Sequence, residues 1–341
     1  MKAVQDVYCT IPFLENSIKL RKESEPHKIA LRIMENLSNI YLDIPQVELM
    51  NFVKSHPKIW TLFKRGNKTF RSKLNWKNSL GYENINDEVC FIDPEYIPDF
   101  KKIREEKGLL IVASNEDIRL IERMNNKRGY VCIVPKDEQI SHFNESYQES
   151  WEEALDTCKI EPINSLIISD NYLFSKFESR KESGLYALIK NIVNGIFKVD
   201  FHIAIFSYIA EKYKFSVSDA ENIIKEIKNL FPGHEDNIKV TVIIHTKKTT
   251  THDREIITNY HRITSGAGFS IIEDEDGAKE VAKGFIEPVF HAISTTSENH
   301  FTTKHFHYQT LQWLKSIYHR ESGAGGGSFI VGDKIHRMLD N

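Results

Sequence analysis

The chain has 341 residues, 40% of them hydrophobic and 27% charged, with a formal net charge of −3 at pH 7. These values are ordinary for a soluble globular protein of one or two domains, and the whole-chain charge does not indicate a polyanionic partner. The longest apolar runs, such as VTVII at 240 to 244, are far too short to cross a bilayer. Because the N-terminus lacks the apolar core of a signal peptide, we expect a cytoplasmic protein.

Four cysteines, Cys9, Cys90, Cys132 and Cys158, are widely spaced without any C-x-x-C pair. This spacing argues against a disulfide framework and a zinc site, so the cysteines are predicted to be small buried hydrophobic residues. The histidines of ENHFTTKHFHYQTL lack carboxylates at ligand spacing, and the acidic run EDEDG lacks the spacing of a calcium loop. We therefore predict neither a metal nor a cofactor.

Residues 1–84 are predicted to form a helical, basic N-terminal region. In PHKIALRIMENLSNI, Ile29, Ile33 and Leu37 recur every four residues, as on one face of an amphipathic helix. DIPQVELMNFVKSH carries Asp and Pro start signals before a second helical pattern, and PKIWTLFKR is a third short helix that a glycine follows. Three short helices before a basic segment would suit a helix-turn-helix-like module.

The segment at 54–77, KSHPKIWTLFKRGNKTFRSKLNWK, contains eight Lys or Arg and no Asp or Glu. Solvated faces usually mix both charges, whereas cations interleaved with aromatic residues are typical of surfaces that neutralise phosphates and stack on bases. The aromatic residues could instead belong to the core beside a solvated basic face. The residues predicted to contact nucleic acid are Lys64, Arg65, Lys68, Arg71, Lys73 and Trp76.

From residue 85 the pattern changes to strands alternating with helices, which predicts an α/β fold. EVCFID, GLLIVAS and YVCIVP are strands of an α/β segment at 85–160. NSLIISD and IKVTVIIHT are strands of a domain at 161–300, where SVSDAENIIKEIKNLF is a helix with Ser218 as its N-cap and Glu221 three residues on. A C-terminal helix and a Gly-rich tail are expected at 301–341.

The stretch HDREIITNYHRITSGAG, at 252 to 268, keeps the spacing of a phosphodiester-cleaving motif. It resembles the phospholipase D superfamily pattern, in which a His attacks phosphorus, a Lys two residues on neutralises phosphate oxygens, and an Asp and a Gly-Ser follow at fixed intervals. His252, Arg254, Asn259 and Gly266 stand at the matching positions, with Ala267 in place of the Ser.

Arginine at the lysine position keeps a permanent charge and adds a bidentate fork for phosphate, whereas Asn in place of Asp weakens the base. Asp170 could face the same site. An ordinary antiparallel hairpin with glycines at a turn is the alternative interpretation. The candidate catalytic residues are His252, Arg254 and Asn259, and the candidate phosphate-binding residues are Arg254, Gly266 and Gly268.

A longer stretch, roughly 130 to 295, resembles the phospholipase D-like C-terminal domain of MIT-domain proteins. The matching elements are LIISDNYLF with Asp170 and Tyr172, helices between 181 and 231, VTVIIHT, HDREI and ITSGAGF. The resemblance implies a phospholipase D-like mixed sheet flanked by helices, an incomplete catalytic set, and a role in binding and dimerisation at membranes. Because enzymes of this superfamily need two motifs, a single copy implies a homodimer.

We therefore expect a protein that binds nucleic acid, either DNA or RNA. Its degenerate site would bind a phosphate, and its basic segment would add affinity. One alternative is a dimeric, metal-independent nuclease that uses His252. Another is a scaffold that binds anionic membrane lipids. The Lys-, Asn- and Ile-rich composition suggests a bacterial setting such as antiviral defence or a mobile element.

Overall fold

The structure is a computed structural model, and the chain forms two compact units. The first unit comprises Met1–Lys127 with Pro288–Gln309, and the second comprises Arg128–Glu287 with Thr310–Asn341. The residues that the structure describes are 5–35, 38–64, 69–79, 89–114, 116–117, 119–120, 129–133, 155, 163–171, 173–174, 184–193, 200–208, 215–245, 254–266, 282–288, 303–321 and 328–340.

A parallel sheet of five strands organises the described part of the first unit. Its strands are β1 (Gln5–Cys9), β2 (Ser38–Leu42), β3 (Thr69–Ser72), β4 (Val89–Phe91) and β5 (Leu110–Val112). They lie in the order β3-β2-β1-β4-β5. Parallel neighbours require crossover connections, which contain helices here. These helices are α1 (Ile11–Leu20), α2 (Glu25–Glu35), α3 (Gln46–Ser55), α4 (Pro57–Lys64) and α5 (Phe100–Lys107).

The predicted α/β class is confirmed, but the prediction of a helical N-terminal module is wrong. The three predicted helices are present as α2, α3 and α4, yet β1, β2 and β3 lie in the same region. Each of these strands has only four or five residues and pairs with a strand far away in sequence, as Gln5 does with Ser38, so no local hairpin signal marks it. Because β4 and β5 complete the same sheet, the first unit extends to Lys127 rather than ending at 84.

A mixed sheet of eight strands organises the described part of the second unit. Its strands are β6 (Gly129–Ile133), β7 (Ser165–Ser169), β8 (Phe201–Tyr208), β9 (Ile238–His245), β10 (Arg254–Thr258), β11 (His261–Ser265), β12 (Ala282–Pro288) and β13 (Phe329–Gly332). They lie in the order β13-β9-β8-β7-β10-β11-β12-β6, and β7, β8 and β9 run parallel to one another. The remaining described helices are α6 (Gly184–Ile192), α7 (Val217–Asn229) and α8 (Thr303–Glu321).

The parallel strands β7, β8 and β9 form the centre of the second core. Their residues are almost all buried, as expected for strands covered on both faces. On one face, Ile167, Phe206 and Ile243 pack against Leu314 and Ile317 of α8. The expected mixed sheet flanked by helices is therefore present.

Three details of the second unit differ from the sequence prediction. The span from 181 to 231, predicted as helices, also contains the central strand β8, whose apolar run is too short to separate from a buried helix by periodicity. Helix α7 is capped by Ser216 with Asp219 in a capping box, not by Ser218 with Glu221. Both pairs have the same spacing, and the helix starts at the earlier one. The predicted tail contains β13, which pairs with β9.

The buried side chain of Asn259 attaches the turn between β10 and β11 to the start of β7. Its Oδ1 accepts hydrogen bonds from the backbone N–H groups of Asn164, at 2.9 Å, and Ser165, at 3.0 Å. Its Nδ2 donates to Oδ1 of Asn164 at 2.9 Å. Asn259 is 0% exposed, so these bonds are shielded from bulk solvent. The amide therefore ties the turn to the start of β7.

Two buried histidines hold the C-terminal segment against the second sheet. The rings of His202 and His336 pack edge to face with their centroids 6.0 Å apart. Nε2 of His336 lies 3.2 Å from the carbonyl oxygen of Leu166, and Nδ1 accepts from the backbone N–H of Met338 at 3.3 Å. His336 is therefore neutral, with its proton on Nε2. Burial, and then the positive charge of neighbouring groups, lowers the pKa of His336 to about 3 and that of His202 to about 4.

Replacing Asn259 by alanine is expected to lower the free energy of unfolding by about 2–4 kcal/mol, because two buried backbone N–H groups lose their acceptor. Urea denaturation of the variant measures the change. The control is Asn222→Ala on the exposed face of α7, for which we expect a change within about 0.5 kcal/mol. Equal effects of the two substitutions would contradict the structural role of Asn259.

Acidification is expected to destabilise the second unit between about pH 6.5 and pH 4. In the unfolded chain both histidines titrate near pH 6.5, whereas the fold resists their protonation, so the unfolded state binds more protons in this window. Each histidine contributes up to about 1.4 kcal/mol per pH unit.

Urea denaturation at pH 7, 6 and 5 measures this slope. We expect the slope to be shallower in the double variant His202→Gln, His336→Gln than in the wild type, with His234→Gln, at a half-buried position, as the control for the substitution itself. A wild-type slope in the double variant would rule out this pair as the source.

Candidate nucleic-acid interface

The basic segment enters the first sheet through its edge strand β3. Arg71 lies in β3 and is exposed, and Lys73 follows the strand and is half-buried. Lys64 is the last residue of α4. Arg65 and Lys68 lie outside the described residues. Among the predicted basic contact residues, Arg71 and Lys73 are therefore the two whose side chains can be placed.

A row of paired residues crosses the first sheet and ends at Arg71. The register pairs Cys90 with Tyr8, Tyr8 with Tyr41, and Tyr41 with Arg71. Directly paired residues lie on the same face of the sheet. This row therefore has mainly apolar side chains in the middle of the sheet and a cation at its edge. The rings of Tyr8 and Tyr41 stack with their centroids 4.9 Å apart. Arg71 therefore continues an aromatic row.

Two lysines lie over tyrosine rings next to this row. Nζ of Lys73 donates a hydrogen bond to the hydroxyl of Tyr8 at 2.7 Å and lies 4.8 Å and 5.6 Å from the ring centroids of Tyr8 and Tyr41. Nζ of Lys77 lies 4.8 Å from the ring centroid of Tyr96. We call Tyr41, Arg71, Lys73, Lys77 and Tyr96 the lysine–tyrosine surface.

The cations of the lysine–tyrosine surface keep their charge available. Among the described residues, Arg71, Lys73 and Lys77 form no ion pair with a carboxylate. The nearby carboxylate of Asp43 instead accepts hydrogen bonds from the hydroxyl of Tyr96 and the backbone N–H of Asn75. The surface therefore combines positive charge with partly exposed aromatic rings.

Tyr96 stays neutral in this arrangement. Burial, followed by the hydrogen bond to Asp43 and the charge of that carboxylate, raises the pKa of Tyr96 above its usual range. The hydroxyl therefore keeps its proton and continues to donate to Asp43. This bond holds the ring beneath Lys77.

The prediction that Trp76 stacks on a base is wrong, because its side chain is 0% exposed. The indole lies between Tyr8 and Tyr96, with centroid distances of 5.2 Å to each. It belongs to a core cluster with Cys90, Ile92 and Ile111, among other apolar residues. The alternative interpretation from the sequence, that the aromatic residues of this segment are core residues, is correct for Trp76 and also for Phe70.

Tyr8, Tyr41, Tyr96 and Lys77 were missed by the sequence analysis. Tyr8 and Tyr41 lie in β1 and β2, which were predicted as part of a helical region, and Tyr96 follows β4. The available signal was the β-branched and aromatic residues at the ends of QDVYC and SNIYL, but five residues are too few for a firm strand prediction.

The second unit brings together three of the residues predicted around the phospholipase D-like motif. Arg254 begins β10, and its Nη1 donates to the carbonyl oxygen of Gly266. Its Nε lies 3.4 Å from Oδ1 of Asp170, which follows β7. Asp170 is 6% exposed, and the Arg254 side chain is 16% exposed. Asp170 therefore faces the same site as Arg254, which the sequence had offered only as a possibility. A β-carbon at Gly266 would meet nothing within 4 Å, so its surroundings are open.

The prediction that Asn259 shares a site with Arg254 is wrong. The two residues flank opposite ends of β10, because Glu255 pairs with Ser169 at the end of β7 whereas Thr258 pairs with Leu166 near its start. Five residues of extended chain span roughly 17 Å. Asn259 therefore lies too far from Arg254 to assist chemistry there. His252 and Gly268 lie outside the described residues.

Metal and membrane sites can be assessed only for the described part of the chain. Within it, no three His, Cys, Asp or Glu side chains come together in a way that could hold a metal ion. Cys9 and Cys90 are buried, as predicted. None of the described helices has the length and apolar character needed to cross a membrane.

A search of protein-family models finds no match for this chain, and no curated protein matches it. The phospholipase D-like relationship therefore stays a prediction that depends on the spacing at 252 to 268 and the elements before it. The function has to be inferred from the side chains that the fold brings together.

Proposed function

We propose that the protein binds nucleic acid through the lysine–tyrosine surface. The observation that carries this proposal is that Lys73 and Lys77 lie over tyrosine rings while neither lysine pairs with a carboxylate among the described residues. A cation held by an aromatic face keeps its full charge for an incoming anion, whereas one held by a carboxylate does not. Phosphate groups are the anions that a nucleic acid supplies repeatedly.

The electrostatic part of the binding is a release of counterions. Each phosphate that a Lys or Arg neutralises releases condensed cations, so affinity falls steeply with salt. Arg71 adds a planar fork that can bind one phosphate through two hydrogen bonds. Three cations near each other on one unit support a contact with several successive phosphates.

The aromatic part of the surface favours unpaired bases. Tyr41 and Tyr96 are half-buried, so part of each side chain remains accessible. Stacking of a base on an aromatic side chain contributes about 1–3 kcal/mol and does not depend on base identity. A paired duplex hides its base faces, so this geometry supports single-stranded nucleic acid as the preferred ligand.

Arg254 is a second candidate phosphate contact, in the second unit. A phosphate at this position must compete with the carboxylate of Asp170 for the guanidinium. The predicted homodimer would supply two copies of both surfaces, and such binding would suit the bacterial defence or mobile-element setting inferred from composition. Neither surface favours lipid headgroups over nucleotide phosphates.

The double variant Arg71→Glu, Lys77→Glu is expected to bind single-stranded oligonucleotides at least about 10-fold more weakly, and to lower the salt slope of log affinity by about 1.4. Fluorescence anisotropy between 50 and 200 mM salt (roughly the range over which counterion release dominates) gives both quantities. Both side chains are exposed, so the fold should tolerate the change.

The matched control is Lys101→Glu, Lys102→Glu on the exposed face of α5, which changes the net charge equally. Equal weakening by both double variants would reduce the effect to whole-molecule charge and would contradict the proposed surface. Preference for vesicles of anionic lipid over oligonucleotides would favour the membrane alternative.

Metal-independent nuclease activity is the second candidate function, and one contact favours it. Arg254 and Gly266 of the predicted motif meet Asp170 at one end of the second sheet. If the site cleaves, wild-type protein in EDTA should degrade oligonucleotides, His252→Ala should abolish cleavage, and Arg254→Ala should reduce it by about 10²-fold or more.

The control for Arg254 is Arg262→Ala, because Arg262 is 17% exposed and pairs with Glu255 at 2.6 Å in the same sheet. Loss of cleavage in Arg262→Ala to the same degree would indicate a structural defect. An inactive wild type would leave binding as the function of the site.

A further inference from the structure

A cleft in the first unit lies between α1 and the junction of α3 with α4. Its volume is about 480 Å³, within the range of small-molecule sites. The floor is formed by Ile18 and Ile59, which are 8% and 0% exposed, and Pro57 adds an apolar wall. None of these residues belongs to the lysine–tyrosine surface, so the cleft is a separate feature.

The rim of the cleft is charged. Lys19 from α1 and Lys58 from α4 line it and are both exposed. Neither lysine forms an ion pair or hydrogen bond among the described residues. The one carboxylate of the rim, Glu15, contacts Nε2 of His56 at 3.0 Å. The rim therefore presents two lysines without an ion pair among the described residues, beside an apolar floor.

The side chain of His56 contacts both the carboxylate of Glu15 and the backbone of Phe52. Nδ1 of His56 lies 2.8 Å from the carbonyl oxygen of Phe52, and a carbonyl only accepts, so Nδ1 carries a proton. Nε2 lies 3.0 Å from Oε1 of Glu15. Among the described residues, the carboxylate of Glu15 therefore contacts His56 and forms no ion pair with Lys19 or Lys58.

We propose that this cleft binds a small amphipathic anion, a molecule with an apolar body and one carboxylate or phosphate group. The apolar body covers Ile18, Ile59 and Pro57, and the anionic group lies between Lys19 and Lys58. Both halves of the ligand follow from the residues: an apolar floor disfavours a fully polar anion, and two unpaired cations disfavour a neutral hydrocarbon.

Isothermal titration of the full chain with octanoate tests the proposal, with 1-octanol and acetate as the two matched probes. We expect saturable octanoate binding with a Kd at or below about 1 mM, and at least about 10-fold weaker binding of each matched probe. Equal binding of octanoate and 1-octanol would show that charge plays no part and would overturn the proposal, as would the absence of saturation.

The variant Lys19→Gln, Lys58→Gln is expected to weaken octanoate binding at least 10-fold, an order-of-magnitude estimate for two lost charge contacts. The control is Lys22→Gln, Lys54→Gln. Both lysines are exposed, and each lies three or four residues from one of the cleft lysines, but neither lines the cleft. Equal weakening by both pairs would overturn the assignment to this cleft. Octanoate binding should be unaffected by Arg71→Glu, Lys77→Glu, which separates this site from the nucleic-acid surface.

Discussion

Parallel strand pairing is the constraint on which both units depend. Strands β1 to β5, and β7 to β9, can pair in parallel only if each returns through a crossover, and their carboxyl ends then meet at one end of each sheet. This places Lys73 after β3 close to Tyr8 of β1, although 65 residues separate them in the chain. In the second unit, it places Asp170 after β7 at the end where the antiparallel β10 begins with Arg254.

The buried aromatic cluster of the first unit determines how the cations are held. Trp76 is fully buried between Tyr8 and Tyr96, so the two tyrosines are fixed by packing rather than by the lysines above them. Lysines over such rings lose less hydration than lysines buried beside a carboxylate, and a cation–π contact of this kind contributes about 0.5–1 kcal/mol at an exposed site. The surface is therefore ordered before any ligand arrives. Preorganisation lowers the entropic cost of binding.

The C-terminal segment and the β10–β11 turn show how buried polar groups secure the second unit. His336 is neutral and joins the carbonyl of Leu166 in β7 to the backbone of the tail. Asn259 joins the other side of β7 to the turn. Both side chains lie among apolar strands, where an unmade hydrogen bond costs more than in water. These two residues fix β7, and with it the position of Asp170.

Local sequence patterns predicted elements whose signal is contained in one segment. The helices α3 and α4 and the strand β9 follow from apolar spacing over eight or more residues, and the α/β class follows from their alternation. The spacing from 252 to 268 correctly placed Arg254 near Gly266, because an antiparallel hairpin brings positions twelve residues apart together.

The sequence by itself determined the class of fold and the basic character of 54–77, and it offered Asp170 as a possible neighbour of Arg254. Only the tertiary structure decided which residues of those patterns are accessible. Trp76 and Asn259 have the residue types of a binding site, yet one fills a core and the other closes a turn. The physical reason is that exposure and neighbours depend on strands β1, β2 and β7, which pair across long stretches of chain that no local pattern records.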